Sequence, residues 1–127
     1  MTHLLDTHTL IWFLENNPQL PDRTRILIEE TPIIFISIVS LWEIAIKANI
    51  GKLSLSFPFN TIATNLTTLG ITQLPITFQD LEIYLTLPLH HRDPFDRLLV
   101  AQSMNHSLTF ISRDTEFKPY LIQQIWD

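Results

Sequence analysis

The sequence IIFISIVSLWEIAIKAN, residues Ile33–Asn49, has the pattern of a strand followed directly by a helix. Its first four residues, Ile33–Ile36, are apolar and mostly β-branched, which is typical of a strand buried on both faces of a parallel sheet. Ser37 and Ser40 are both candidates for the N-cap of the following helix, which is predicted to run to about Asn49. A buried strand joined directly to a helix predicts an α/β fold.

The same alternation of strand and helix continues on both sides of this unit. Further strands are predicted at Thr2–Asp6, Ile71–Leu74, Leu108–Ile111 and Ile122–Trp126. Further helices are predicted at Thr7–Glu15, Asp22–Glu30, Phe57–Leu69, Thr77–Leu85 and Asp93–His106, with Asp22, Thr77 and Asp93 as candidate N-caps and Gly70 as a candidate C-terminal stop. We therefore expect one domain over residues 1–127, a three-layer α/β/α sandwich with a central, mainly parallel sheet.

The composition excludes several classes of function. The 127 residues include no cysteine, so a disulfide framework and a cysteine nucleophile are excluded, and a reducing, cytoplasmic location is expected. The two glycines are too few for a glycine-rich nucleotide-binding loop. Apolar runs are far shorter than the roughly 18 residues that a membrane span needs. The net charge of −5, from 13 acids and 8 bases, argues against a basic groove for passive nucleic-acid binding.

Five acidic residues fall at predicted strand ends or in early turns of helices: Asp6, Glu43, Asp93, Asp96 and Asp114. In a parallel sheet the carboxyl ends of the strands face the same edge, so these side chains are able to converge. Converging carboxylates repel one another, and a hard divalent cation such as Mg²⁺ or Mn²⁺ relieves that repulsion. The pattern therefore indicates a carboxylate metal site.

Each acid also has an ordinary structural interpretation, and the sequence leaves both open. Asp6, Asp93 and Asp114 are candidate helix caps. Asp96 in a first helical turn favours the helix dipole. Glu43 lies four residues before Lys47, the spacing of a helical ion pair.

Four segments resemble the PIN-domain ribonucleases, and in pattern the VapC-type toxins of prokaryotic toxin–antitoxin pairs. They are LLDTHTLIW (Leu4–Trp12), SIVSLWEIAIK (Ser37–Lys47), HRDPFDRLLVAQ (His91–Gln102) and FISRDTEF (Phe110–Phe117). The resemblance implies a PIN-like α/β/α fold and a metal-dependent endoribonuclease that uses Mg²⁺, or alternatively Mn²⁺. By motif it implies that Asp6, Glu43, Asp96 and Asp114 form the catalytic metal site, with Asp93 as a further candidate ligand and Ser112 next to the ligands.

Four basic residues near these motifs are candidates for binding RNA phosphates: Lys47, Arg92, Arg97 and Arg113. For Lys47 and Arg97 the alternative is that they only neutralise neighbouring carboxylates. Trp12 and Trp42 lie on apolar helix faces, which favours a place in the core or an interface over base stacking.

The resemblance also implies partners. A ribonuclease toxin is held by an antitoxin protein, and a homodimer that binds RNA and a small antitoxin is expected. Three alternatives stay open: a PIN-fold nuclease of RNA processing without a toxin role, a catalytically silent binding module, and a phosphoacceptor receiver domain. The receiver is disfavoured because Asp6 is followed by Thr7 and Ile71–Pro75 contains no acid.

Overall fold

The computed structural model describes residues 2–90 and 93–127. In these residues the strands are β1 (His3–Leu5), β2 (Ile34–Ser37), β3 (Ile71–Leu74), β4 (Thr109–Ile111) and β5 (Gln123–Ile125). The helices are α1 (Thr7–Leu14), α2 (Asp22–Glu30), α3 (Ile38–Asn49), α4 (Ile62–Leu69), α5 (Phe78–Thr86) and α6 (Pro94–Asn105), with short 3-10 helices at Phe59–Thr61 and Thr115–Phe117. Within the described ranges, no helix has the length and apolar character that a membrane span requires.

The five strands form one sheet in the order β3-β2-β1-β4-β5, and every neighbouring pair is parallel. The central strand β1 pairs on both sides, so that Leu4 lies between Phe35 of β2 and Phe110 of β4. The chain builds outward from β1 to β3 and then crosses over to β4. Open parallel sheets bind their ligands at such a reversal of strand order, which here falls between β1 and β4.

Side chains alternate between two separate cores on the two faces of the sheet. On one face Leu5, Ile34, Ile36 and Ile111 pack with residues of α1, α2 and α4. On the other face Leu4 and Phe110 pack with residues of α6 and with Phe117 and Tyr120. Helices and apolar loops cover both faces, which confirms the predicted three-layer α/β/α sandwich.

Most predicted helix boundaries agree with the observed capping. Of the two serines proposed for α3, Ser37 is the cap, and its side chain accepts a bond from the Val39 amide. Thr77 caps α5 in a reciprocal capping box with Asp80, and Asp93 caps α6. Gly70 ends α4 with a φ of 73°, a conformation that glycine adopts without a steric penalty.

Several local predictions differ from the structure in their bounds or caps, including those at α2, α4 and β2. Asp22 does not cap α2, because Pro21 is the cap and Asp22 is the first helical residue. The helix predicted at Phe57–Leu69 begins later. Phe57 precedes Pro58 and is therefore disfavoured in the helical conformation, and Pro58 is the residue before the short 3-10 helix. The strand predicted at Ile33–Ile36 starts one residue later, with Ile33 46% exposed.

Candidate active site

A pocket of about 520 Å³ lies where the chain leaves the carboxyl ends of the strands. Its lining includes all five acids that the sequence singled out: Asp6, Glu43, Asp93, Asp96 and Asp114. Asp6 directly follows β1, and Asp114 lies three residues after the end of β4, so these two acids flank the reversal of strand order. The topology thus brings together carboxylates that are more than 100 residues apart.

Asp6 is fixed at the end of β1 by four hydrogen bonds. Its amide donates to the Ile111 carbonyl at 3.0 Å, and its own carbonyl accepts from the amide of Leu10. Its Oδ1 atom accepts from the Thr7 amide at 2.7 Å as the cap of α1, and its Oδ2 atom accepts from Ser112 Oγ at 2.7 Å. Burial raises the pKa of Asp6, and the bonds from Ser112 and Thr7 oppose that rise. Asp6 is therefore both a helix cap and a wall of the pocket.

Glu43 lies in the second turn of α3 and is held at both carboxylate oxygens. Thr7 Oγ1 donates to Oε1 at 2.8 Å and lies 2.9 Å from Ser40 Oγ. Lys47 Nζ donates to Oε2 at 2.8 Å. The predicted Glu43–Lys47 pair thus exists, but the Glu43 side chain is only 5% exposed, so it is not a solvated surface pair. This bond raises the pKa of Lys47.

Asp93 and Asp96 both enter the pocket from the start of α6. Asp93 Oδ1 accepts from the amides of Phe95 at 2.8 Å and Asp96 at 3.4 Å, so this carboxylate caps the helix as well as lining the pocket. Burial and then the negative charges of Asp6, Asp93, Glu43 and Asp114 raise the pKa of Asp96 to about 8. Without a cation, Asp96 therefore holds a proton at neutral pH.

Ser112 connects Asp114 to Asp6. Its hydroxyl donates to Asp6 and accepts from the Asp114 amide at 3.0 Å. Asp114 Oδ1 accepts from the Glu116 amide at 2.9 Å, and its carbonyl accepts from Gln124 Nε2 at 2.7 Å. Ser112 therefore lies next to two candidate ligands.

The four candidate RNA-binding residues differ in where they lie relative to the pocket. Lys47 and Arg113 line the pocket. Arg97 is buried, lies over the Tyr84 ring, and donates to the carbonyls of Pro88 at 3.0 Å and Leu87 at 3.4 Å, so it is not part of the pocket lining. Arg92 lies outside the described residues. Only Lys47 and Arg113 are thus placed beside the acids by the described part of the chain.

Sequence reasoning missed several polar and aromatic residues of the lining. Thr7, His8 and Trp12 follow Asp6 on α1, and Thr115 follows Asp114. A signal was available for α1, because His8 and Trp12 are four residues apart and so share a helix face. Nothing local indicated that Thr7 would reach Glu43, which is 36 residues away.

The donor set fits a hard divalent cation in its chemistry. Five carboxylates share one pocket, and burial together with their mutual repulsion raises the pKa of Asp96; a bound cation relieves that repulsion. In the present arrangement Glu43 and Asp6 direct oxygens to protein donors, and no group of three His, Asp or Glu within 2–90 and 93–127 is arranged to hold a metal ion. Glu43 would have to exchange Thr7 or Lys47 for the ion, whereas Asp6 can keep its bond from Ser112, because each carboxylate oxygen has a second lone pair.

The sequence matches the PIN domain over residues 3–120, which is nearly the whole chain. The protein therefore belongs to the PIN domain family, whose members are nucleases. This assignment makes the receiver-domain alternative wrong. No curated protein matches the sequence.

Several solved structures are similar to the chain in fold, one of them a toxin–antitoxin complex. VapBC2 from Rickettsia felis, bound to a promoter DNA fragment, superposes with a TM-score of 0.73 at 16% identity and covers 100% of both chains. FitAcB from Neisseria gonorrhoeae gives 0.70 at 20% identity, covering 98% of this chain and 96% of that one. A toxin–antitoxin complex from Klebsiella pneumoniae gives 0.62 at 18% identity, covering 91% and 90%.

Proposed function

We propose that the protein is a metal-dependent endoribonuclease and the toxin of a toxin–antitoxin pair. The observation that carries the proposal is the pocket shared by five carboxylates at the reversal of strand order. The fold family and the structural similarity to toxin–antitoxin complexes support it. A toxin that cleaves cellular RNA would act in the cytoplasm.

In this proposal Asp6, Glu43, Asp96 and Asp114 hold Mg²⁺, or alternatively Mn²⁺, with Asp93 as a further ligand. The bound ion supplies an activated water and stabilises the negative charge that develops on a phosphodiester. Ser112 orients the carboxylate of Asp6, and its bond opposes the rise in the pKa of that group that burial causes.

Two cations of the chain contribute to substrate binding. Lys47 and Arg113 line the same pocket as the acids, which supports a role for both in binding the phosphates of RNA. Lys47 also neutralises Glu43, and the two roles are compatible once Glu43 turns to a metal ion. Arg97 donates to backbone carbonyls, and we do not include it among the residues that bind RNA.

The proposed partners are an antitoxin and a second copy of the chain. Helix α5 presents Phe78, Leu81 and Leu85 to solvent at positions i, i+3 and i+7, with Phe78 78% and Leu85 84% exposed. Such a row of apolar side chains on one helix face supports a protein interface. We assign it to a homodimer, because a two-fold contact between two α5 helices would bury the same row from both copies.

The test of the activity is cleavage of a labelled RNA with Mg²⁺, with and without EDTA. Asp6→Asn and Asp96→Asn each remove one proposed ligand and are expected to lower the rate by about 100-fold or more. Asp22→Asn is the matched control, because Asp22 is exposed on α2 away from the pocket lining.

The alternatives predict other results. A catalytically silent binding module would show no metal-dependent cleavage. Persistent cleavage by the Asp6→Asn/Asp96→Asn double variant would reveal a contaminating nuclease and overturn the site. A processing nuclease without a toxin role would cleave RNA but leave growth unchanged when expressed alone.

A further inference from the structure

Trp12, Arg113 and Trp126 form a layered cluster beside the acidic pocket. The Arg113 guanidinium carbon lies over the Trp12 ring, 4.6 Å from its centroid. The Trp126 ring meets Trp12 edge-on, with centroids 5.9 Å apart, and the ring of His8, on the same helix as Trp12, lies 5.7 Å from it. Trp12 and Arg113 both line the pocket that contains the five carboxylates.

Arg113 lies beside the acidic pocket at the carboxyl ends of the strands. It stands between Ser112, which binds Asp6, and Asp114. Its side chain is exposed, and Nη1 donates to Gln19 Oε1 at 3.2 Å. The guanidinium is therefore held between the indole and Gln19 while it remains accessible to a ligand of the pocket.

The cluster combines the positive charge of Arg113 with flat surfaces that can contact a substrate. A guanidinium plane and an indole ring are the two kinds of surface on which proteins stack unpaired nucleobases. A phosphate held near the carboxylates is joined through one ribose to a base, so a base of the same substrate is within reach of the pocket wall. The sequence-based interpretation of Trp12 as a residue of the core or an interface is incomplete, because it packs on the core with only part of its surface.

We propose that Trp12 and Arg113 form a nucleobase-stacking subsite that positions single-stranded RNA beside the carboxylates. The proposal rests on the endoribonuclease function proposed above and adds the side chains that contact a base of the substrate. Arg113 is the outer layer that contacts the base, and Trp12 is the inner layer that supports the guanidinium.

The test separates stacking from charge by measuring affinity for two oligomers. Oligoadenylate carries bases, whereas an abasic ribose-phosphate oligomer of the same length and charge carries none. Dissociation constants are measured by fluorescence anisotropy with Mg²⁺ in an Asp96→Asn background, so that cleavage does not consume the RNA. Arg113→Lys keeps the positive charge but removes the planar guanidinium.

The expected result is that Arg113→Lys weakens binding of oligoadenylate by about 10-fold and leaves binding of the abasic oligomer unchanged. Trp12→Leu is also expected to weaken binding of oligoadenylate. If Trp12→Leu does not fold, the result for Arg113→Lys alone tests the subsite, because Arg113 is exposed. Arg25→Lys is the matched control, since Arg25 lies over the Phe13 ring at 5.7 Å but does not line this pocket.

Equal weakening of both oligomers by Arg113→Lys would assign Arg113 to phosphate alone and overturn the proposal. An unchanged affinity for both would overturn it as well, and would leave the cluster as a structural element or a protein contact. The cleavage assay tests the proposed function separately. If the unmodified protein cleaves RNA but Arg113→Lys leaves both affinities unchanged, the stacking subsite is overturned and the proposed function stands.

Discussion

The hydroxyl of Ser112 donates a 2.7 Å hydrogen bond to Oδ2 of Asp6 and joins the end of β4 to the end of β1. The same hydroxyl oxygen accepts from the Asp114 amide at 3.0 Å. One buried side chain therefore sets the orientation of two proposed ligands that lie at opposite ends of the sequence. Burial raises the pKa of Asp6, and this bond opposes that rise, so it favours the ionised form that a metal ion needs.

Ser112→Ala is expected to weaken Mg²⁺ binding by about 10-fold or more, because the carboxylate of Asp6 loses its positioning bond. The free energy of unfolding should fall by about 1–2 kcal/mol, since a buried acceptor loses its donor. Titration calorimetry measures the first effect and urea denaturation the second. Ser112→Thr retains the hydroxyl and is the control, and equal metal affinities of Ser112→Ala and the unmodified protein would contradict the assigned role.

Asp96 makes the stability of the metal-free protein depend on pH. Its pKa is about 8 in the folded chain, against the ordinary value of 3.8 that applies to the unfolded chain. Between these values the folded state holds a proton that the unfolded state releases, so the free energy of unfolding falls as pH rises through this window. Burial raises the pKa of Asp6 as well, which adds a slope of the same sign.

Thermal unfolding in EDTA at several pH values between 3.8 and 8 checks this prediction. Asp96→Asn should have a flatter profile than the unmodified protein, and Asp22→Asn should not. Added Mg²⁺ should stabilise the protein most at the alkaline end, where its ligands are ionised. A stability that rises with pH in the absence of metal would contradict the placement of Asp96 among buried carboxylates.

Local rules account for much of the fold. An apolar run followed by a serine predicted β2 and α3, and short polar side chains marked the starts of α3, α5 and α6. The placement of acids after strands was equally readable, because parallel topology directs the carboxyl ends to one edge. Boundaries near prolines were less accurate, since the restriction acts on the residue before the ring.

Features that depend on long-range packing could not be predicted in this way. Arg97 is adjacent to Asp96 in sequence, yet successive helical residues point about 100° apart, and Arg97 faces the carbonyls of Leu87 and Pro88 instead of the pocket. The pKa of Asp96 is raised first by burial and then by charges that come mostly from other segments, those of Asp6, Glu43 and Asp114. No local pattern contains that information.

Leu85→Glu is expected to convert the proposed homodimer into a monomer. The substitution places a charge in the exposed apolar row of α5, where two copies would meet, and should raise the dimer dissociation constant by about 10-fold or more. Sedimentation equilibrium measures it. Ile26→Glu is the control, since Ile26 is 51% exposed on α2, which packs on the other face of the sheet. A monomeric unmodified protein, or a dimer that survives Leu85→Glu, would contradict this interface and leave the row available to the antitoxin.

Asp80 is a buried carboxylate that joins α5 to α6 away from the acidic pocket. It is completely buried, accepts from the Thr77 amide at 2.9 Å and Gln102 Nε2 at 3.2 Å, and accepts from Asn105 Nδ2 at 2.7 Å. His106 Nε2 lies 3.3 Å from Oδ1. Burial raises the pKa of Asp80, but the bonds from Asn105, Thr77 and Gln102 and the charge of His106 outweigh it, so the net pKa is lowered.

Asp80→Ala is therefore expected to lower the free energy of unfolding by about 2–4 kcal/mol, because several donors lose their acceptor. The folded pKa lies below the ordinary value of 3.8, so the stabilisation is present above that pH and is lost as pH falls through the folded pKa. Urea denaturation at neutral pH and below pH 3.8 measures both effects. The Asp80→Ala penalty should shrink in acid, while RNA cleavage by the folded variant stays unchanged, because Asp80 does not line the pocket. A penalty that persists undiminished in acid would show that Asp80 stabilises α5 and α6 through packing and not through its charge.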